Sequence, residues 1–143
     1  MHISGGQPSG QNYAYISTGI QLVVTYSTNT APNAPSFSSP SVSSNNNDTV
    51  SFSASTTDAD ANTWYASFEL HSSAAYSGAL ATATGSTVSS GSTSTTTWNV
   101  SLTRGTYYVR AKAVDSVGDS SGYTNLGAIY LNRKPNTPTM SSP

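Results

Sequence analysis

Four aspartates stand in two short segments whose composition suits the coordination of calcium. Asp58 and Asp60 lie in one segment, and Asp115 and Asp119 lie in the other. Calcium binds six to eight oxygen ligands, and four carboxylates with nearby backbone carbonyls supply such a set. Aspartate is also an ordinary turn residue, and neither segment has the spacing of an EF-hand. The sequence therefore allows either a calcium site or two turns.

A second group of residues with recognisable chemistry is aromatic and charged. Tyr65 and Tyr108 occupy outward positions in strand-like runs. Exposed aromatic rings bind sugars by stacking and are enriched in protein interfaces. These two tyrosines are therefore predicted to form a face that binds a ligand or a partner protein. The alternative is a cross-strand aromatic pair that stabilises the sheet. Glu69 is expected to add a cross-strand ion pair with Arg110 or Lys112.

Catalytic chemistry has little support in the sequence. The two histidines, His2 and His71, have no triad setting, and Glu69 is the only glutamate. No paired acids of the glycosidase kind, glycine-rich phosphate loop or zinc spacing is present. We therefore predict no catalytic residue and no enzyme, and no cofactor other than the possible calcium.

The composition excludes several classes of partner. The net charge is -1 with five Lys plus Arg, so the chain lacks the basic stripe of a nucleic-acid-binding protein. It also lacks a polybasic membrane patch and an apolar run of membrane-spanning length, so direct membrane insertion is not expected. No cysteine is present, which excludes a disulfide framework.

The elements that must position these residues are short strands. Tyr107, Val109, Ala111 and Ala113 alternate with polar or outward residues, the period-two pattern of a half-buried strand. Similar runs predict strands at 49–54, 63–70, 96–102 and 123–131, with a first strand near Phe37 and a weak one near Leu80. The predicted core contains these residues: Phe52, Trp64, Phe68, Trp98, Tyr107 and Val109. About seven short strands with turns between them predict an all-β antiparallel sandwich.

The segment around the strong strand also carries a family resemblance. It is similar to the E–F corner and F strand of bacterial immunoglobulin-like and fibronectin type III-like tandem repeat modules of surface proteins. The matching positions are Leu102, Gly105, Tyr107, Ala113, Asp115 and Gly118. The resemblance implies a structural corner at Leu102, Gly105 and Tyr107, in which the tyrosine bonds to the corner backbone. It also implies that the two acidic loops emerge at the same end of the sandwich.

An internal repeat predicts the domain organisation. Pro32–Pro40 returns as Pro135–Pro143 with six of nine positions identical, at the spacing of one sandwich domain. Because proline fixes φ and removes a donor, we interpret both segments as stiff linkers rather than ladder strands. Residues 1–31 are then the end of a preceding module or an assembly arm, 32–134 the sandwich, and 135–143 the opening of a next module.

The N-terminal region carries one more strand pattern. Ile20, Leu22, Val24 and Tyr26 alternate within residues 18–26. A lone strand cannot bury its apolar face, and an unpaired edge invites another strand. We therefore predict that this strand adds to a sheet of an adjacent copy or module, and that these residues form an interface.

Together these features favour a non-catalytic structural module. The expected location is extracellular, on a cell or virion surface, and the expected role is that of spacer and assembly unit in a surface protein, filament or virion appendage. The expected partners are copies of the chain or neighbouring modules. The alternative function is a carbohydrate-binding or adhesive module that contacts surface glycans. The two differ in whether an aromatic cluster or the strand edges form the contact surface.

Overall fold

The computed structural model of the chain describes residues 12–15, 21–41, 45–46, 49–99 and 102–132. The chain divides into two compact units, Met1–Thr30 and Ala31–Pro143. The described residues form strands, turns and loops, and they include no helix with the length and apolar character needed to span a membrane.

The first unit contains a β-hairpin of two antiparallel strands, β1 (Asn12–Tyr15) and β2 (Gln21–Val24). The strand predicted at 18–26 therefore has a partner at Asn12–Tyr15, where the sequence pattern predicts no strand. Alternating small and aromatic residues over only four positions gave too weak a pattern to predict β1. Whether β2 also pairs with another copy stays a prediction.

Apolar side chains at the end of this hairpin are open to solvent. Val24 and Tyr26 are 48% and 42% exposed. Of the other predicted interface residues, Ile20 and the side chain of Leu22 lie outside what the structure describes.

The second unit contains two β-sheets. One sheet has five strands in the order β4–β10–β9–β6–β7, and the other has three in the order β3–β5–β8. Neighbouring strands are antiparallel except for the short parallel contact of β4 with β10. The strand bounds are β3 Ser36–Ser39, β4 Asn45–Asn46, β5 Thr49–Ser55, β6 Trp64–His71, β7 Ala81–Thr84, β8 Thr93–Asn99, β9 Gly105–Asp115 and β10 Thr124–Leu131.

The core lies between the two sheets and follows from the period-two pattern. In β6 and β9 every second residue is buried, and the residues between them are partly exposed, apart from the buried His71. The fully or nearly fully buried apolar residues are Val50, Phe52, Ala54, Trp64, Ala66, Phe68, Leu70, Tyr107, Val109, Ala111, Ala113, Ile129 and Leu131. Each large side chain removed from water in this way contributes about 1.5–3 kcal/mol.

Trp98 is less deeply buried than predicted. Trp64 is fully buried, whereas Trp98 is half-buried and packs its ring 5.5 Å from that of Phe52. The strand itself begins and ends earlier than predicted, at Thr93 and Asn99 instead of 96 and 102. Trp98 is therefore the last aromatic residue before the strand ends, where the sheet covers it incompletely.

The segment that opens the second unit is attached to the sandwich. We call residues 31–35 the entry segment. The backbone N–H of Asn33 donates to the Thr57 carbonyl at 3.0 Å, and its side-chain amide donates to Thr57 Oγ1 at 3.0 Å. The Thr56 hydroxyl donates to the Asn33 carbonyl at 2.7 Å, and Pro35 is fully buried.

This attachment corrects one interpretation made from the sequence. Pro32–Pro40 was expected to be an extended linker without ladder pairing, but Ser36–Ser39 is strand β3 and pairs with β5. Pro35 and Pro40 flank that strand, so the N–H groups that proline lacks are not needed for the hydrogen bonds between β3 and β5.

Ser94 joins the two sheets through its hydroxyl. The buried Ser94 Oγ accepts from the Ala66 N–H of β6 at 3.0 Å and donates to the Ser86 carbonyl at 2.7 Å. Gly85 lies against this hydroxyl, and a Cβ added at Gly85 would overlap Ser94 Oγ. Glycine is therefore required where the chain crosses from β7 towards β8.

Candidate functional site

Glu69 is the centre of a polar and aromatic cluster on the outer face of the five-stranded sheet. Glu69 of β6 pairs directly with Arg110 of β9 in the register. Arg110 Nε and one Nη group both lie 2.8 Å from Glu69 Oε2. The Tyr123 hydroxyl donates to Glu69 Oε1 at 2.5 Å, and His71 Nε2 lies 3.1 Å from Oε2. Both carboxylate oxygens therefore accept hydrogen bonds from neighbouring side chains.

Tyrosine rings cover the guanidinium of Arg110. Its Cζ lies 4.0 Å from the ring centroid of Tyr123 and 5.7 Å from that of Tyr76, within the range of cation–π attraction. The ring of Tyr76 also packs edge-on against His71 at 5.4 Å and near Tyr108 at 6.4 Å. We name these residues the Glu69 cluster: Glu69, His71, Tyr76, Tyr108, Arg110, Lys112 and Tyr123.

Two members of the Glu69 cluster are held in unusual states. Tyr76 has a positive φ of 52°, a conformation that bulky side chains rarely adopt. His71 has no exposed surface, and its Nδ1 has no hydrogen-bond partner among the described residues. The packing of Tyr76 over His71 explains how a histidine on the outer face of a sheet becomes buried.

The Glu69 cluster shifts the pKa values of two of its members. Burial raises the pKa of Glu69, but hydrogen bonds from Tyr123 and Arg110 and the charge of Arg110 outweigh it, so this pKa lies below its ordinary value. The pKa of Tyr123 is raised, first because its hydroxyl donates to Glu69 and then because of burial. Both shifts favour the arrangement with a charged Glu69 and a neutral Tyr123.

The two tyrosines singled out from the sequence are far apart. Tyr65 is opposite Val114, whereas Tyr108 is opposite His71, at the other end of the same strand pair. Both are half-buried on the outer face, as expected, but they do not form a cross-strand pair. Alternation specifies the face of a strand, whereas register depends on the turns and the core, which is why the pairing was not predictable.

Two further aromatic residues of the Glu69 cluster were not predicted. Tyr76 lies in a segment of small polar residues that was assigned to an edge or loop, and Tyr123 precedes β10. The available signal was a large aromatic residue among serine, alanine and glycine, which usually has a packing partner.

The acidic loops form turns stabilised by their own carboxylates. Asp58 Oδ1 accepts from the N–H groups of Asp60 at 2.8 Å and Asn62 at 3.3 Å. Asp115 Oδ1 accepts from three consecutive N–H groups, those of residues 117, 118 and 119, at 2.7–2.9 Å. Asp58 and Asp115 are buried, as expected for carboxylates that organise turns.

The two acidic loops do lie at the same end of the sandwich. Trp64 pairs with Asp115, and the N–H of Ser116 donates to the Thr63 carbonyl at 2.9 Å. Across the described residues, however, no group of three or more acidic, histidine or cysteine side chains is arranged to hold a metal ion. Asp58 and Asp115 therefore act as turn residues, and a calcium site formed by Asp58, Asp60, Asp115 and Asp119 stays a prediction.

The corner before β9 has the geometry that the resemblance implies. The Tyr107 hydroxyl donates to the Thr103 carbonyl at 2.9 Å and lies 3.2 Å from Thr103 Oγ1. Leu102 packs against the core, and Gly105 begins β9.

Comparison with known proteins identifies the fold. No protein-family model and no curated protein matches the chain. The PKD domain of an M14-like peptidase from a Thermoplasmatales archaeon matches with a TM-score of 0.54 and 23% identity, over 73% of this chain and 98% of that one. Fibronectin(III)-like modules of Clostridium thermocellum CbhA match with a TM-score of 0.50 and 12% identity, over 92% of this chain and 65% of that one.

The chain has an immunoglobulin-like, fibronectin type III-like β-sandwich fold. The predicted fold class is thus confirmed. By their names, one neighbour is a domain of a peptidase and the other consists of fibronectin(III)-like modules.

Proposed function

We propose that the chain is a section of a tandem array of β-sandwich modules and acts as a non-catalytic spacer and assembly unit of an extracellular surface protein, filament or virion appendage. The observation that carries this proposal is a pattern that occurs twice. Each of the two β-hairpins, β1–β2 and β9–β10, is followed in the chain by the sequence Pro-Asn-x-Pro. The first copy is Pro32–Pro35 and the second is Pro135–Pro138.

The two occurrences agree in their spacing. Gln21, the first residue of β2, and Thr124, the first of β10, stand at the same distance before their Pro-Asn-x-Pro sequence. The first unit therefore has the pattern of the last two strands of a preceding module. A two-stranded hairpin is marginally stable by itself, which is a further reason to assign it to a larger sheet.

The entry segment explains why Pro-Asn-x-Pro would recur at each junction. Asn33 bonds to Thr57 through both backbone and side chain, and Pro35 is buried in the module that it opens. By this argument Asn136 and Pro138 perform the same task for the next module. An array built in this way has modules at a fixed spacing.

The composition supports an extracellular location for such an array. The chain is rich in serine and threonine, and only 8% of its residues are charged. Such a surface is common in extracellular repeat proteins. Antibodies against the sandwich, applied to intact cells or particles of the source, test the location directly.

A two-copy chain tests the tandem arrangement. Residues 1–134 are joined to residues 32–143, so that the second copy begins at Pro32, within its entry segment. We expect both sandwiches to fold, with about twice the unfolding enthalpy of the single chain at the same melting temperature, since enthalpy scales with folded residues. If the second sandwich needs its own residues 1–31 to fold, those residues belong to this sandwich, and the proposal is wrong.

A further inference from the structure

The edge strands of the sandwich are not equally protected. Among the described strands, β3 and β8 form the edges of the three-stranded sheet, and β4 and β7 form those of the five-stranded sheet. Proteins block such edges with short strands, bulges, prolines or charges, because an open edge pairs with other chains. β4 has two residues, and β3 has four, with a register shift and a proline on each side. These two edges are therefore blocked.

β8 carries none of these protections. It has seven residues, Thr93–Asn99, and pairs with β5 over its whole length without a register shift. The sequence from 70 to 103 contains no Asp, Glu, Lys, Arg or Pro. β7, the edge strand that precedes β8, lies in the same uncharged stretch. The edge formed by β8 is therefore open to pairing.

Hydrogen bonds at Thr95 show which backbone groups of β8 point outward. The Ser86 N–H donates to the Thr95 carbonyl at 2.8 Å, and the Thr95 N–H donates to Ser86 Oγ at 3.1 Å. Both groups of Thr95 thus point away from β5. Because the direction alternates along an antiparallel strand, the N–H and C=O groups of Thr97 and Asn99 point outward as well. Among the described hydrogen bonds these groups have no partner.

Trp98 lies between these two residues, on the inner face of the same edge. Its ring packs 5.5 Å from that of Phe52, yet the side chain is only half-buried. Covering the rest of a large aromatic side chain is favourable, and aromatic pairs across neighbouring strands stabilise a sheet. The open backbone edge and the incompletely covered ring are independent observations, and both indicate that a strand adds to β8.

The chemistry of this edge fits a second copy of the same edge. At a two-fold interface each side chain near the axis faces its own copy, so a charge there would meet a like charge. Because 70–103 contains no charged residue, two copies of β8 meet without repulsion. The outward groups also match a two-fold axis. In an antiparallel pair centred on Trp98, Thr97 faces Asn99 of the second copy, and the two residues exchange both N–H···O bonds.

We propose that β8 pairs antiparallel with β8 of a second copy about a two-fold axis at Trp98, so that the two three-stranded sheets become continuous. The two Trp98 side chains then lie opposite each other at a position without hydrogen bonds, where side chains come closest. The inference rests on the assembly role proposed above, because a contact through β8 joins arrays side by side. A contact of a few strand residues is smaller than a standard interface, so single copies pair weakly and the many modules of an array pair strongly.

Sedimentation of the full chain tests the contact. The chain is measured up to about 1 mM, the effective concentration that a short tether gives. We expect the average mass to rise from 14.8 kDa towards that of the dimer. The rise should persist at about 1 M salt, where charges are screened beyond about 3 Å, because the contact contains no ion pair. A monomer throughout the series overturns the proposal.

Substitutions at Thr97 identify the edge. Thr97→Pro removes an N–H that makes no bond to β5, so the sandwich keeps its ladder, whereas the pairing with a second copy loses a bond. Thr97→Lys places a charge on the edge, as protected edges do. Each should raise the dissociation constant about tenfold or more. The control Ser51→Lys, exposed on β5 directly opposite Thr97, should leave it unchanged. Urea unfolding confirms that each variant is folded. Association of both Thr97 variants as tight as that of wild type means that another surface makes the contact, and the proposal is wrong.

Cysteine cross-linking tests the register, since the chain has no cysteine of its own. Chains with Thr97→Cys and with Asn99→Cys are mixed with a mild oxidant. In the proposed register these two positions lie opposite each other at a Cα distance of about 5.5 Å, which a disulfide spans, whereas like positions lie beyond its limit of about 7 Å. We expect cross-linked dimers in the mixture and far fewer in either chain alone. Equal cross-linking in all three samples, or none in the mixture, overturns the axis at Trp98, while the two-copy chain decides the tandem function separately.

Discussion

Glu69 and Arg110 stand directly opposite each other on β6 and β9, and their charged groups meet at 2.8 Å beneath the ring of Tyr123. The pair belongs to the outer face of the sheet, yet the Glu69 side chain is only 14% exposed. A charged carboxylate that is covered in this way and accepts hydrogen bonds at both oxygens stabilises the fold.

The lowered pKa of Glu69 predicts a pH-dependent contribution to stability. Because the folded-state pKa lies below the unfolded value of about 4.3, this contribution is present above that pH and is lost as the pH falls through the folded pKa. We expect Glu69→Gln to lower the unfolding free energy by about 1–3 kcal/mol at neutral pH. Urea unfolding from pH 2 to 7 should show the difference from wild type shrinking in acid.

The neighbouring cation provides the control for that titration. Lys112 lies on the same strand and the same face as Arg110, with its Nζ 5.6 Å from the centroid of the Tyr123 ring. Among the described contacts it makes no bond to Glu69. Lys112→Gln should leave the acid limb of the stability profile unchanged. If the unfolding free energies of wild type and Glu69→Gln changed with pH in parallel, the pKa of Glu69 would not change on folding.

The corner tyrosine should contribute measurably through its hydroxyl alone. Tyr107→Phe removes the bond to the Thr103 carbonyl and leaves the buried ring in place. We expect a loss of about 0.5–1.5 kcal/mol in urea unfolding. The matched control is Tyr108→Phe, on the outer face, which should change stability by less than about 0.5 kcal/mol. Equal losses for the two variants would contradict a special role for the corner bond.

Gly85 should tolerate no side chain. Gly85→Ala places a methyl group against Ser94 Oγ, which must move away from Ala66 and Ser86. We expect a loss of about 1–3 kcal/mol. Gly122→Ala is the control, because a Cβ at Gly122 meets no atom within 4 Å. If Gly85→Ala were as stable as Gly122→Ala, the chain at Gly85 would not pass as close to Ser94 as described.

The two tryptophans should differ in solvent access. In Trp98→Phe the remaining Trp64, fully buried, should emit at short wavelength and resist acrylamide quenching. In Trp64→Phe the remaining half-buried Trp98 should be quenched more strongly. A Stern–Volmer slope that is equal in the two variants would contradict the difference in burial.

The alternating strands could be predicted from the sequence because burial imposes a local period. Trp64, Ala66, Phe68 and Leu70 were placed on one face of their strand, and all four are buried. The Glu69 pairing was predicted with two candidate partners, and the register selects Arg110.

Other features depend on contacts that no local pattern encodes. The short strand Asn45–Asn46 pairs with β10 through its backbone, and asparagine carries no apolar signal. The positions of Tyr65 and Tyr108 relative to each other depend on register, which the turns and the core specify together. The role of Tyr76 depends on a loop that folds back over His71.

The attachment of the entry segment has a mechanical consequence. A flexible linker between modules extends under small forces. Here Asn33 and Pro35 are already held by the sandwich that they open, so the chain from Asn33 onward adds no free length. A pull on the N-terminal side therefore loads the bonds to Thr56 and Thr57 directly. In the array proposed above, this part of each junction should extend only after these bonds break.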